Sequence, residues 1–184
     1  MKPLLPGQTV VVQGTGGVSI FALQIAHAAG ADVIATSSSD SKLKTAMELG
    51  ADHTINYSKT PKWSEEVRRI TGGRGADNVI DVGGVSTVAE SFKAIRYGGI
   101  ISQIGALPAK GEFEKVDASM RAIQTQGIVR GILVGGRDLF EDLLRSLDKA
   151  RWHPVVDKVF SFEDAKDAFE HLKVQLPKPC ITNR

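Results

Sequence analysis

Cysteine is almost missing from this 184-residue chain: Cys180 stands alone. No internal disulfide framework can therefore brace it, and no cysteine-based zinc site can form within it. Such scarcity fits a reducing, cytoplasmic setting. Long hydrophobic runs are lacking too. The longest apolar stretch is interrupted by Gln24, His27 and Asp32, and no charged-then-apolar leader opens the chain, so no membrane span is expected. Charge of one sign is likewise absent. The 23 basic and 21 acidic residues leave a formal charge of +2 without blocks of like charge, so nucleic acid is not an expected partner. The four histidines (His27, His53, His153 and His171) belong to no His-Glu-x-x-His pattern, and none is expected to be a metal ligand. His27 lies on an apolar helical segment and reads as structural. A chain of this length buries about 70% of its extended surface, enough for one self-sufficient core.

What is present is a glycine turn in a telling context. Thr9-Val10-Val11-Val12 is a continuous β-branched run, as in a parallel strand buried on both faces, and it leads directly into Gln13-Gly14-Thr15-Gly16-Gly17-Val18-Ser19. Gly14 permits a sharp strand-to-helix turn. Gly16 lets the backbone approach a pyrophosphate, and the helix that follows offers unpaired N–H groups and its positive end. Ser19 stands where a third glycine is usual and is small enough for the helix to lie on the strand. The same turn also closes ordinary strand–helix units. The segment 18–29 is apolar almost all round and stops at Gly30, and Val33-Ile34-Ala35-Thr36 forms a second strand, so residues 9–37 read as one βαβ unit.

The end of that second strand bears on the ligand. A fold of this type that uses NAD places Asp or Glu there to hold the ribose 2′-hydroxyl. Here the sequence is Thr36-Ser37-Ser38-Ser39, with no carboxylate before Asp40. Serine hydroxyls can donate to a 2′-phosphate, and Lys42 can supply positive charge, so the pocket reads as preferring NADP(H) over NAD(H). Ser-Ser-Ser-Asp is also ordinary helix-capping chemistry, and Lys42 an ordinary surface lysine.

Strand and helix patterns then alternate along the chain. A helix is expected at 41–49 with Gly50 as its stop, and a strand at 53–57. A helix follows with Thr60 as N-cap, Pro61 at its first position, and Trp63, Val67 and Ile70 on one face. A strand at 78–82 precedes a helix opened by a Thr87/Glu90 capping box and closed by Gly98-Gly99. Strands at 100–104 and 127–134 flank a less regular region, 106–126, that is given a short helix. Phe140, Leu143, Leu144 and Leu147 form a last helical stripe. The alternation predicts an α/β fold with a doubly wound parallel sheet of six strands, the Rossmann arrangement, over 1–172, followed by an irregular tail at 173–184.

Several of these segments together carry a family likeness. Pro6-Gly7-Gln8-Thr9-Val10, the glycine turn, Leu49-Gly50-Ala51-Asp52-His53-Thr54-Ile55-Asn56-Tyr57, Thr71-Gly72-Gly73-Arg74-Gly75-Ala76-Asp77, Asp81-Val82-Gly83-Gly84 and His153-Pro154-Val155-Val156-Asp157-Lys158-Val159-Phe160 resemble the cofactor domain of the medium-chain dehydrogenase/reductase superfamily. Its alcohol dehydrogenase-like and quinone oxidoreductase-like branches are the most similar. The resemblance implies hydride transfer between NAD(P)H and an alcohol, aldehyde, quinone or enone. It implies pyrophosphate contacts from the Gly16, Gly17 and Val18 backbone, with Gly14 and Thr15 of the same turn among the cofactor-binding candidates, 2′-phosphate contacts from Ser38, Lys42 and Tyr57, and nicotinamide or ribose contacts near Gly83, Ile104 and Gly105. Tyr57 could equally be an aromatic that seals a strand end. A homodimer through the 127–134 strand is a further implication.

Family members are about twice as long, their other half being an N-terminal substrate domain that holds any zinc. This chain starts a few residues before its first strand, so that domain is expected to be absent. No catalytic residue and no zinc are assigned to the chain. It reads as the NADP(H)-binding domain of an oxidoreductase or, alternatively, as a non-catalytic NADP-binding or sensing module or an inactive truncated remnant. Short-chain dehydrogenases are excluded because neither Tyr57 nor Tyr97 is followed by lysine four residues on. A phosphate-loop NTPase lacks its Gly-Lys-Ser/Thr, and S-adenosylmethionine-dependent methyl transfer remains a lesser alternative.

Overall fold

The computed structural model describes residues 3–105, 114–150, 153–174 and 180–182. In chain order the elements are β1 (Thr9–Gln13), α1 (Gly17–Ala28), β2 (Asp32–Ser37), α2 (Asp40–Glu48), β3 (His53–Asn56), α3 (Trp63–Ile70), β4 (Ala76–Asp81), α4 (Val88–Ala94), β5 (Ile95–Gln103), α5 (Ala118–Thr125), β6 (Ile128–Gly131), α6 (Arg137–Ala150), β7 (Val159–Ser161), α7 (Ala165–Val174) and β8 (Cys180–Thr182). Six parallel strands lie in the order β3-β2-β1-β4-β5-β6, the order of a doubly wound dinucleotide-binding sheet. The chain direction across the sheet reverses between β1 and β4. That switch point is where open α/β sheets form their ligand crevice.

Alternation along the strands builds two core layers. Val10, Val12, Val33 and Ala35 join Leu23, Ala26 and Ala46 on the α1/α2 side. Val11, Ile34, Val79 and Ile101 join Trp63, Val67 and Phe92 on the α3/α4 side. Burying each such Val, Leu or Ile side chain contributes about 1.5–3 kcal/mol. Both α1 and α2 end where glycine takes positive φ, at Gly30 (+77°) and Gly50 (+105°). In each case the following amide, Ala31 or Ala51, returns to the carbonyl five residues back, at 3.0 Å. A Cβ on Gly50 would fall 2.6 Å from the His27 ring, so His27 packs against this turn.

Several local expectations are corrected. Helix α3 starts at Trp63 rather than after a Thr60 cap, because the Thr60 amide bonds to the Asn56 carbonyl and the first-turn amide of Ser64 goes to Glu90. The Thr87/Glu90 capping box does not form: Thr87 donates its hydroxyl to Asp81, and Glu90 accepts from Ser64. Helix α4 ends at Ala94, not at Gly98-Gly99. Those glycines instead lie inside β5, where the register with β4 shifts between Ala76 and Asn78, and a Cβ on Gly99 would meet Ile95 at 2.5 Å. Strand β6 covers only Ile128–Gly131 of the expected 127–134. Helix α1 leaves Val18, Phe21 and Ile25 partly exposed, so its apolar character all round is not burial all round.

The short helix expected in 106–126 is α5; residues 106–113 lie outside the described residues. The segment read as an irregular tail carries the end of α7 and strand β8, which pairs in parallel with β7. The two prolines of the tail, Pro177 and Pro179, precede β8 in sequence, and a strand in a two-stranded sheet is bonded on one edge only. No helix among the described residues is long and apolar enough to cross a membrane.

Candidate cofactor-binding site

The site begins with the end of one strand. Gln13, the last residue of β1, is buried and donates from Nε2 to Ser91 Oγ at 2.8 Å, while its Oε1 lies 3.4 Å from the Gly83 amide. Ser91 in turn donates to Asp81 Oδ2 at 2.7 Å. Asp81, the last residue of β4, is fully buried, and its Oδ1 accepts from the Gly84 amide and from Thr87 Oγ1, both at 2.8 Å. This network ties together the carboxyl ends of β1 and β4 and fixes the loop 83–87 above them. Behind it the loop after β5 packs closely, since a Cβ on Gly84 would stand 2.4 Å from the Gly105 carbonyl oxygen, and one on Gly105 would stand 2.4 Å from that of Val82.

Over this floor runs a groove made of two adjoining cavities. One, of about 360 Å³, is lined by Gly14, Gly16, Gly17, Val18, Gly83, Ile104 and Gly105 together with Gln13, Ser19 and Val82. The other, of about 440 Å³, shares Gln13, Gly14, Val82 and Gly83 and extends over Thr36, Tyr57, Pro61 and Trp63 to Ser86, Thr87 and Glu90. Both volumes lie in the range of about 300–1,000 Å³ usual for small-ligand sites.

At the first cavity α1 begins with Gly16 as its cap residue. No side chain caps it, and its first turn holds no acidic residue. The first helical hydrogen bond runs from the Ile20 amide to the Gly16 carbonyl at 2.9 Å, so the Gly17, Val18 and Ser19 amides have no helical acceptor. Ser19 Oγ donates to the Gln13 carbonyl at 2.6 Å and ties the helix start to the end of β1, a bond that the usual glycine could not make. A Cβ on Gly16 would meet nothing within 4 Å. The empty space above Gly16 is therefore a cradle that any side chain would occupy, beside three free amides at the positive end of a helix. That combination fits a pyrophosphate.

Of the residues expected from sequence, Gly14, Gly16, Gly17, Val18, Tyr57, Gly83, Ile104 and Gly105 are gathered along the groove. Thr15 is buried and lines neither cavity. Ser37 is buried too, its hydroxyl accepting from the Ser39 amide at 3.3 Å. Ser38 and Lys42 are exposed and line neither cavity. Tyr57 is 42% exposed, and its amide bonds to the Ser37 carbonyl at 3.0 Å, which sets it next to the end of β2.

The nearby Asp40 is engaged by Lys59 at 2.6 Å and by Asn56 at 2.8 Å. Those partners, Lys59 foremost, hold its carboxyl below the ordinary value. Lys42 has no hydrogen-bond or ion-pair partner among the described residues. Sequence reasoning missed Gln13, Asp81, Ser91, Trp63 and Glu90 as site residues. Gln13 did carry a signal, a polar residue closing the apolar run Val10–Val12; Glu90 was assigned to a capping box instead.

Residues 17–149 match the zinc-binding dehydrogenase family. A zinc-type alcohol dehydrogenase-like protein of Schizosaccharomyces pombe is 46% identical over 167 residues, which are 90% of this chain and 48% of that protein. A 2-haloacrylate reductase of Burkholderia is 34% identical over 91% of this chain and 45% of its own length. The solved structure of an NAD-dependent alcohol dehydrogenase superposes with a TM-score of 0.77 at 36% identity, covering 92% of this chain and 49% of that one. The chain spans about half the length of the relatives it matches. Among the described residues no group of three or more His, Cys, Asp or Glu side chains is placed to hold a metal ion, so no zinc ligand set is found there. The chain belongs to the zinc-binding dehydrogenase family of the medium-chain dehydrogenase/reductase superfamily and corresponds to its cofactor-binding domain.

Proposed function

We propose that this chain is the NADP(H)-binding part of an oxidoreductase that moves hydride between the nicotinamide and an alcohol or aldehyde, or a quinone or enone. The observation that carries the proposal is the uncapped start of α1 facing the open cradle above Gly16, at the switch point of the sheet. The Gly17, Val18 and Ser19 amides would hold the pyrophosphate. The adenosine half would extend over Thr36 and Tyr57, and the nicotinamide half toward Ile104 and Gly105. When bound, the nicotinamide supplies hydride at its C4 position. The chain's residues bind and orient it; none is assigned as acid or base.

The preference for the 2′-phosphate is supported by the neutral Ser37-Ser38-Ser39 segment at the end of β2, by Lys42, which has no partner among the described residues, and by Tyr57, whose amide bonds to the Ser37 carbonyl. Asp40, the carboxylate near that position, is already matched by Lys59. A homodimer through the β6 edge is part of the proposal. β6 is outermost in the sheet, and Ile128, Leu133 and Val134 around it are 47%, 91% and 84% exposed. Residues 1–172 are read as the nucleotide-binding unit, in the cytoplasm.

The test is NADPH oxidation by the purified chain across a panel of quinones, enones and aldehydes, run beside a binding assay. Turnover supports the enzyme. Binding with no turnover favours a cofactor-binding module that works with another subunit. Failure to bind either nicotinamide dinucleotide contradicts both.

A further inference from the structure

The larger cavity has a planar, apolar lining with one ionised group in it. Tyr57, Pro61, Trp63 and Val82 supply ring and aliphatic surfaces, while Glu90 adds a carboxylate whose side chain is only 18% exposed. Most other polar groups there are committed within the protein. Gln13 spends its amide on Ser91 and Gly83, Thr87 Oγ1 donates to Asp81, and Ser86 Oγ donates to the Gly83 carbonyl at 2.9 Å. Glu90 is partly committed. Its Oε2 accepts from the Ser64 amide at 3.2 Å and the Ser64 hydroxyl at 2.7 Å, and its Oε1 accepts from Lys93 Nζ at 3.1 Å. Burial would raise its pKa, but the Ser64 hydroxyl, Lys93 and the Ser64 amide outweigh that and hold it below the ordinary value. Glu90 is thus a fixed anion, an acceptor that cannot donate, with lone-pair capacity left on Oε1.

We propose that Glu90 selects the base of the dinucleotide, its carboxylate accepting a hydrogen bond from the exocyclic amine of adenine held between the Tyr57, Trp63 and Val82 surfaces. The inference rests on the dinucleotide reading above, which lays the adenosine half over this cavity. A flat base fits the apolar walls. At position 6 of a purine the carboxylate favours an amino group, which donates, and opposes a carbonyl, which would set two acceptors face to face. Lys93 and Ser64 hold Glu90 in place, and Lys93 is itself anchored by Glu114 at 2.7 Å.

The experiment titrates the chain with NADPH and with its 6-oxo analogue, nicotinamide hypoxanthine dinucleotide phosphate in reduced form, and repeats the comparison for the pair lacking the 2′-phosphate. The expected result is about tenfold weaker binding of the 6-oxo analogue in both pairs, the scale of one hydrogen bond to a charged group. In Glu90→Gln, whose amide can donate to a carbonyl, the difference should shrink to less than about threefold. Equal binding of amino and oxo forms by the unaltered chain overturns the proposal and leaves Glu90 as a cap for α3. A difference that persists in Glu90→Gln overturns it as well. The unaltered chain suffices for the first comparison even if the variant fails to fold. Absence of binding by all four dinucleotides would instead contradict the dinucleotide reading itself, and this inference with it.

Discussion

Gly16 and Gly84 are glycines for different reasons, and substitution separates them. At Gly16 φ is −72°, which any residue adopts, and a Cβ meets no atom of the protein. Gly16→Ala should therefore leave thermal unfolding within about 1 kcal/mol of the parent while weakening dinucleotide binding, because the added carbon fills the cradle. At Gly84 φ is +63° and a Cβ would collide with the Gly105 carbonyl oxygen at 2.4 Å. Gly84→Ala should lower stability by about 1–3 kcal/mol, seen as a lower midpoint in urea. Lys42→Ala should weaken NADPH binding by about 1.5–3 kcal/mol and leave NADH nearly unchanged, as calorimetry would read; equal loss for both removes Lys42 from the phosphate site.

At the opposite end of the sheet Asp77 is 2% exposed. It accepts from the Thr9 amide at 2.9 Å, Arg96 at 2.5 Å and Arg74 at 2.6 Å. Burial pushes its pKa up, but the Thr9 amide, Arg96 and Arg74 together outweigh burial and hold it below the ordinary carboxylate value. A depressed folded value means the stabilisation is present in full above the unfolded pKa and disappears as pH falls through the folded one. Asp77→Asn should thus cost about 3 kcal/mol at neutral pH and flatten the acid limb of the stability curve below about pH 4, measurable by denaturant unfolding across pH.

Elements were legible in sequence where burial dictates the pattern. β1 and β2 send successive apolar side chains to two separate core layers, so each shows as a continuous apolar run, Val10–Val12 and Val33–Ala35, whatever its neighbours do. The glycine turn was legible for a related reason: its geometry is local, three unbonded amides and a small residue within seven positions. Elements failed where a distant partner overrode a local preference. Thr87 has the sequence of a cap, yet Asp81, buried six residues earlier, takes its hydroxyl. Glu90 has the sequence of a capping-box glutamate, yet Ser64 of α3 is what it contacts.

Gly98-Gly99 has the sequence of a helix stop, yet the pair forms an irregularity in β5 that only the β4 pairing reveals. For the same reason Gln13, Asp81 and Glu90 escaped notice as members of one site, since they converge from three elements. The α4 packing is open to a direct check: Phe92, 3% exposed between α4 and the sheet, should cost about 3–5 kcal/mol when replaced by Ala, with the denaturant slope unchanged.

Across the whole molecule apolar surface is left uncovered on the β6 side of the sheet and along the helices that follow. Leu133 and Val134 are 91% and 84% exposed, and the helical stripe expected at α6 leaves Phe140 59% and Leu144 45% exposed. Large apolar side chains gathered at an open sheet edge mark an interaction surface. The dimer proposed through β6 predicts twice the chain mass in sedimentation at micromolar concentration. Leu133→Asp should shift that to the monomer, read in the same sedimentation run.

The central claim is that the groove over β1 and β4, entered at Gly16 and bordered by Ser38, Lys42 and Tyr57, binds a nicotinamide dinucleotide with its 2′-phosphate. Calorimetric titration of the folded chain with NADPH and then with NADH tests it most directly. The account predicts saturable binding of one dinucleotide per chain, with NADPH clearly the tighter. Tighter binding of NADH would contradict the phosphate site, and no saturable binding of either would contradict the groove as a cofactor site.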